Sequence, residues 1–306
     1  MCDRIQTSTA PFQRVWLEYW ETRGIAYPSV VEYMNATKII NAAKQHGWAY
    51  LIVLGFAKCL GVKLDIQRAK DKAWKILKDK HQMRVGYGPF KGMKLNEKVW
   101  WSANDRITQT LGIYEEHVLE KLIDLKKQGA ERFIDIGAAD GYFCVGLAFA
   151  NIYENIFAFE VQEKGRSFIR ENALANGCAD KVQIQGEANF TSLSRILSDQ
   201  QKTSILIDIE GAEYQFLDEK MLELLSGHHV ICELHPWVVE DGYKLEEALL
   251  NRASKFFDVE LIQREAYTPN RFEELSDLSD EERLIAVGES RGKNMQWLVL
   301  SPKQSA

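Results

Sequence analysis

The sequence predicts an α/β fold built on a doubly wound, mostly parallel sheet, and three observations carry that expectation. Short, nearly all-apolar runs rich in β-branched and aromatic residues recur at 133–136, 156–159, 182–184, 205–209 and 230–232. Stretches of helical periodicity separate them, at 142–152, 164–176, 192–199 and 213–225. A strand without a polar face must be covered on both sides, which is the situation of a parallel sheet with helices on each face. The first run also ends in a glycine-containing turn that opens a helix, where doubly wound sheets bind their ligands.

The remaining elements follow in order. Residues 1–82 read as a helical region, with stretches at 12–22, 29–45 and 48–57 and a helix from Asp65 whose Ile66, Ala69, Ala73 and Leu77 share one stripe. Its roles on offer are a lid, a dimer interface that would make a homo-oligomer, or a dock for a partner. Gly86, Gly88, Pro89 and Gly92 crowd into a turn-rich strand or hairpin, the junction to a second domain over 83–306. A helix is expected over 116–128 with Gly129 at its C-terminal cap. Runs at 259–262 and 297–300 close the sheet, and Ser279 with Glu282 is a capping-box signature in the acidic segment 270–293.

Composition bounds the function. The chain has 306 residues, 46% of them hydrophobic, and a net charge of -6. That balance argues against nucleic acid as the partner of the whole chain, since duplex binding needs a strong positive field. Residues 58–98 are the exception: twelve Lys and Arg stand against four acids, so the stretch is +8 and the remainder -14. It reads as a solvated helix face or as a dock for an anionic partner. The longest apolar run, 48–57, is half the ~20 residues of a membrane span, so none is expected. The first residues carry no apolar segment of a secretory signal. Five scattered cysteines without metal spacing fit a reducing compartment, and a cytoplasmic location is expected.

The first strand ends in Asp135-Ile136-Gly137-Ala138-Ala139-Asp140-Gly141-Tyr142. Glycines there let the backbone turn tightly beside a ligand, and the following helix offers free N–H groups. A dinucleotide site would place glycine two after the first; Ala139 stands there, which weakens a nicotinamide reading. Glu160 ends the next strand about 20 residues on, where a carboxylate can accept both hydroxyls of a ribose. The third strand ends at Gly186-Glu187-Ala188, where a carboxylate and a backbone amide could meet an adenine ring.

The fourth and fifth strands end in Asp208-Ile209-Glu210-Gly211-Ala212-Glu213 and Cys232-Glu233-Leu234-His235-Pro236-Trp237. If these strands are neighbours, Asp208, Glu210, Glu233 and His235 converge at the rim that carries the Gly137 turn. Alternation pairs Asp208 with Glu210 and Glu233 with His235 where strand geometry persists. One of the four could act as general base, His235 best on its intrinsic pKa. Asp208, Glu233 and His235 are also a donor set for Mg²⁺ or Mn²⁺, although no compact ligand motif favours a resident cation. A salt-bridged rim is the structural alternative.

The run 133–142 resembles motif I of class I S-adenosylmethionine methyltransferases, and Ile207-Asp-Ile-Glu-Gly-Ala-Glu213 is similar to the signature of their FkbM-type subgroup, mostly O-methyltransferases of sugars and natural products. The resemblance spans about 83–302. It implies a seven-stranded Rossmann-like sheet with the last strand antiparallel, and S-adenosylmethionine as cofactor. It implies Asp135, Gly137, Ala138, Gly141 and Tyr142 around the methionine moiety, Glu160 and Val161 at the ribose, Glu187 and Ala188 near adenine, and Asp208 near the transferring methyl. Leu111-Gly-Ile-Tyr-Glu115 looks like a stretch preceding motif I, which implies Tyr114 and Glu115 closing over the cofactor. Ala139 and Asp140 depart from the subgroup, which often has Asn and an apolar residue there. The implied reaction is O-methylation of a polyhydroxylated small molecule. The rivals are an N-methyltransferase, disfavoured because no proline pair follows the fourth strand, an NAD-linked oxidoreductase, and a cofactor-binding scaffold without activity.

Overall fold

The computed structural model describes residues 65–98, 100, 105–289, 291 and 293–303. The helices expected over 12–22, 29–45 and 48–57 lie outside these residues. The described helices are α1 (Asp65–His81), α2 (Arg106–Leu111), α3 (Glu116–Lys127), α4 (Tyr142–Phe149), α5 (Glu163–Ala175), α6 (Phe190–Leu197), α7 (Glu213–Phe216), α8 (Glu219–Leu225), α9 (Gly242–Ala253) and α10 (Asp280–Val287). The strands are β1 (Arg132–Ile136), β2 (Asn155–Phe159), β3 (Val182–Gln185), β4 (Thr203–Ile207), β5 (His229–Glu233), β6 (Phe257–Gln263) and β7 (Gln296–Pro302).

The strands form one seven-stranded sheet in the order β3-β2-β1-β4-β5-β7-β6. β1 to β5 pair in parallel, and β7 runs antiparallel between β5 and β6. This is the Rossmann-like methyltransferase architecture that the resemblance implies, last strand included. Chain order reverses at β1, which has β2 on one side and β4 on the other, so the switch point lies at the ends of β1 and β4. β1 and β4 are buried along their whole length, as strands covered on both faces must be. One core lies between the sheet and α3 and α4, around Leu122, Phe133, Leu147 and Trp297. The other joins the opposite face to α6, α8 and α9, around Ile134, Ile205, Leu222 and Leu249. β6 is an edge strand whose Asp258, Val259, Glu260 and Leu261 are exposed.

Several boundaries differ from expectation. β4 stops at Ile207, because Glu210 and Gly211 take left-handed backbone (φ 53° and 102°) and turn the chain away. The helix expected over 213–225 is two, since the Asp218 side chain accepts from the Met221 N–H at 2.7 Å and starts a second helix. Ile66 is exposed, whereas Ala69, Ala73 and Leu77 are buried. α1 packs on α2 and α10, with Ala73 and Leu77 against Leu111 and Val287. The capping box forms as expected: Ser279 Oγ accepts from the Glu282 N–H at 3.2 Å and Glu282 accepts from the Ser279 N–H at 2.9 Å. Ser279→Ala should therefore cost about 1 kcal/mol, read by calorimetry as a melting temperature lower by roughly 2–4 °C.

Candidate active site

A cavity of about 550 Å³ opens at the carboxyl ends of β1, β2, β3 and β4. Its floor is the turn after β1. The Gly137 and Ala138 N–H groups both donate to Phe159 O, at 2.9 and 3.0 Å, and Asp208 N donates to Ile136 O at 2.9 Å. These bonds clamp the turn between β2 and β4. A Cβ on Gly137 would lie 1.8 Å from Asp208 O, at φ +89°. Glycine is required there for both reasons.

Asp135, Gly137, Ala138, Tyr142, Glu160, Val161, Glu187, Ala188, Asp208, Tyr114 and Glu115 all line the cavity, and so do Glu210 and Glu233. Gly141 does not; it caps α4 at φ +88° against Val145 and Ile169. Glu160 is buried, and its carboxylate accepts the Gln162 N–H at 2.7 Å and the Ala139 N–H at 3.1 Å, so it is fixed before any ligand arrives. Ala139 itself sits at φ +48°, a conformation that suits glycine or asparagine. Ala139→Asn should raise stability by up to ~1 kcal/mol, which urea denaturation would read.

His235 is buried and does not line the cavity, but the groups around its Nε2 do. That nitrogen is 3.8 Å from Asp208 Oδ1, 3.7 Å from Glu210 Oε2 and 3.9 Å from Glu233 Oε1. The convergence expected of strand ends is present, although Asp208 and Glu210 reach it from a turn. On the other side of the ring stands fully buried Glu213, which the sequence reading quoted but gave no role. Glu213 Oε1 accepts the His235 backbone N–H at 2.8 Å and lies 3.3 Å from Nδ1, and Oε2 accepts the Gly211 N–H at 2.7 Å.

Burial dominates the electrostatics. It pushes Asp135 up to about 7, with help from the Asp208 charge. It pushes Asp208 up to about 6 against the pull of His235. Glu233 stands well above the carboxylate range through burial and then the charges of Asp208 and Glu115. Burial would depress His235, but the Glu213 hydrogen bond and the Asp208 and Glu210 charges outweigh it and raise the imidazole.

Sequence reasoning missed Arg291. It donates to Glu115 Oε1 at 3.1 Å and to the Tyr114 hydroxyl at 3.3 Å, while Glu289 accepts the Glu115 N–H at 3.2 Å. Tyr114 and Glu115 are thus held against the cavity from the segment 270–293. Nine acids line the cavity (Asp105, Glu115, Asp135, Asp140, Glu160, Glu187, Asp208, Glu210 and Glu233), and among the described residues no Lys, Arg or His does.

No protein-family model matches the sequence, and no curated protein matches it. Solved structures do. An O-methyltransferase from Bacillus cereus in complex with SAH is 13% identical, with a TM-score of 0.40, over 82% of this chain and 97% of that one. Human methyltransferase 10 domain containing protein is 14% identical, with a TM-score of 0.42, over 78% and 99%. An rRNA methylase from Streptococcus thermophilus is 11% identical, with a TM-score of 0.40, over 61% and 96%.

Proposed function

We propose that this chain is an S-adenosylmethionine-dependent methyltransferase of FkbM type that methylates a hydroxyl of a sugar or other polyhydroxylated small molecule. The observation that carries the reading is the charge of the cavity. Nine acids without a lining cation suit a ligand bearing a sulfonium and an ammonium group, whose charge would draw the buried carboxyls into their ionised form, and they offer nothing to the pyrophosphate of a dinucleotide. Two of its buried oxygens, Asp208 Oδ1 and Glu233 Oε1, have no hydrogen-bond partner among the described residues, which also fits a cationic ligand.

Glu160, with Val161 beside it, would hold the ribose, Glu187 and Ala188 the adenine, and Asp135, Gly137, Ala138 and Tyr142 the methionine moiety, with Tyr114 and Glu115 over it. Gly141 would shape the turn. When bound, the cofactor supplies a methyl group on a positively charged sulfur. The chain's own contribution is to orient the acceptor, since a well-placed pair recovers ~7–11 kcal/mol of the barrier, and to receive the hydroxyl proton. Asp208, Glu210 and Glu233 face the cavity, with His235 behind them, and one of these carboxyl groups would take that proton. Asp208→Asn should lower kcat by about 10²–10⁴-fold in a methylation assay while SAH binding persists.

Calorimetric titration with S-adenosylhomocysteine and, separately, NAD tests the cofactor. S-adenosylhomocysteine alone should bind, and Glu160→Ala should weaken it by roughly 10–150-fold, the equivalent of a charge-assisted bond of ~1.5–3 kcal/mol. Binding of NAD, or of neither, would overturn the reading.

A further inference from the structure

We propose that His235 Nε2, one oxygen of Asp208 and one oxygen of Glu233 are the ligands of a divalent metal ion, with Glu213 holding the imidazole in its ligating form from behind. The three residues offer ligand atoms that all lie within 4.8 Å of one another.

The distances around Nε2 have the spacing of ligands that share an ion. Asp208, Glu210 and Glu233 present oxygens at 3.8, 3.7 and 3.9 Å from it. An imidazolium would draw one carboxylate to a charge-assisted bond of ~2.7–2.9 Å, and none of the three is that close. Two ligands of one ion at ~2.1–2.2 Å each can stand as far as ~4.3 Å apart, and all three separations fall inside that span. Asp208 and Glu210 are partly exposed to the cavity, so an ion can reach this spacing from solvent.

Glu233 points to a ligand independently of the cluster's charge. Its side chain is 2% exposed. Among the described residues its Oε1 has no hydrogen-bond partner, and neither has Asp208 Oδ1. A buried carboxyl oxygen left unpartnered is costly, and a metal is one of the few ligands that satisfies it and also stabilises the carboxylate form that burial disfavours.

Glu213 supplies the third argument. Both of its oxygens are fixed by backbone, Oε1 by the His235 N–H and Oε2 by the Gly211 N–H, and Oε1 stands at Nδ1. A proton on Nδ1 thus has its acceptor in Glu213, and in that form Nε2 turns its lone pair toward the carboxylates. A carboxylate on the far nitrogen of a ligating histidine is the usual outer-shell arrangement, which fixes the tautomer and strengthens the ligand. Two carboxylate oxygens and one imidazole suit Mn²⁺ and its first-row neighbours better than Ca²⁺. Glu210 Oε2 is near enough to be a fourth ligand or to hold a water on the ion. Asp208 and Glu233 also line the cavity, so the ion would meet whatever enters it; that it would hold an acceptor oxygen rests on the reading proposed above, whereas the ion site does not.

The test uses the full chain, stripped with a chelator, desalted and titrated with MnCl₂ while the electron paramagnetic resonance signal of free Mn²⁺ is followed. One Mn²⁺ per chain should disappear from the signal. His235→Ala and Glu233→Gln should each weaken that site at least 100-fold. Glu213→Gln, which leaves all three ligands in place, should weaken it about 10–100-fold. Asp180→Asn, an exposed change outside the site, should leave it intact. Thermal melts of each protein with and without Mn²⁺ keep the result readable if a variant is destabilised, because only a chain that retains the site should melt higher with the ion. No stoichiometric Mn²⁺ in the unaltered chain, or equal binding by His235→Ala, would overturn the proposal. S-adenosylhomocysteine titrated into the same preparation separates the two readings: Mn²⁺ bound without it keeps the ion and removes the cofactor, and the reverse result removes the ion alone.

Discussion

Asp135→Asn is expected to stabilise the cofactor-free protein at pH 8 by about 4 kcal/mol and to change it little at pH 4. Burial, followed by the Asp208 charge, lifts the Asp135 carboxyl from 3.8 to about 7 in the folded chain. Between those values the folded state binds more protons than the unfolded one, so this group's contribution falls as pH rises and levels off above 7. A shift of that size is worth about 4 kcal/mol. Asparagine keeps the shape and never ionises, so it removes the penalty where the penalty is full. Asp208, raised to about 6, adds a slope of the same sign over a narrower window. The same substitution should weaken S-adenosylhomocysteine by tenfold or more, because on our reading the Asp135 charge faces the ammonium group at the amino-acid end of the ligand. Thermal denaturation at the two pH values checks the first half. A variant no more stable at pH 8 would mean that Asp135 finds its compensation inside the unliganded fold.

Gly137→Ala should have the larger structural effect, a loss of about 4 kcal/mol or more together with loss of ligand binding. The added Cβ meets a backbone oxygen, Asp208 O, at 1.8 Å, and a backbone atom cannot swing aside as a side chain can. The clash forces apart β1 and β4 at the bond from Asp208 N to Ile136 O, beneath the cavity. Gly129 makes the control. Its φ is +97°, but a Cβ there has open space, so Gly129→Ala should lose only the ~1–2 kcal/mol of left-handed backbone. Urea denaturation of the two variants side by side measures the difference, and equal losses would show that the close approach at Gly137 relaxes freely.

All seven runs are strands: β1 and β4 were legible because burial on both faces leaves only apolar residues to read, whereas the edge strands β3 and β6 kept only a short β-branched run. What escaped was set by contacts distant in sequence. The apolar Ile209 extends the β4 pattern past Ile207, yet the turn at Glu210 and Gly211 ends the strand. Asp218 divides a continuous helical pattern with one side-chain bond. The arrival of acids at one rim could be read from strand ends, since parallel neighbours finish side by side. The partners that fix them could not. Glu213 reaches His235 across 22 residues and Arg291 reaches Tyr114 across 177, and neither pairing leaves a local periodicity. Arg291 lies in a segment whose composition advertises only an acidic loop.

The antiparallel strand has a consequence for how the chain is made. β7 lies between β5 and β6 but follows both in the sequence, and it places Trp297 in the cavity wall. While synthesis proceeds from the amino end, β1 to β5 can assemble as they emerge, but β5 keeps a bare edge and β6 has nowhere to pair until Gln296–Pro302 arrives. The nascent protein therefore carries an open, apolar strand edge for the whole time taken to translate residues 234–295, the kind of surface on which partly made chains stick to one another. Closing of the ligand chamber coincides with burial of that edge, so a ribosome-bound chain stopped before Gln296 should be at once unable to bind and in need of a chaperone.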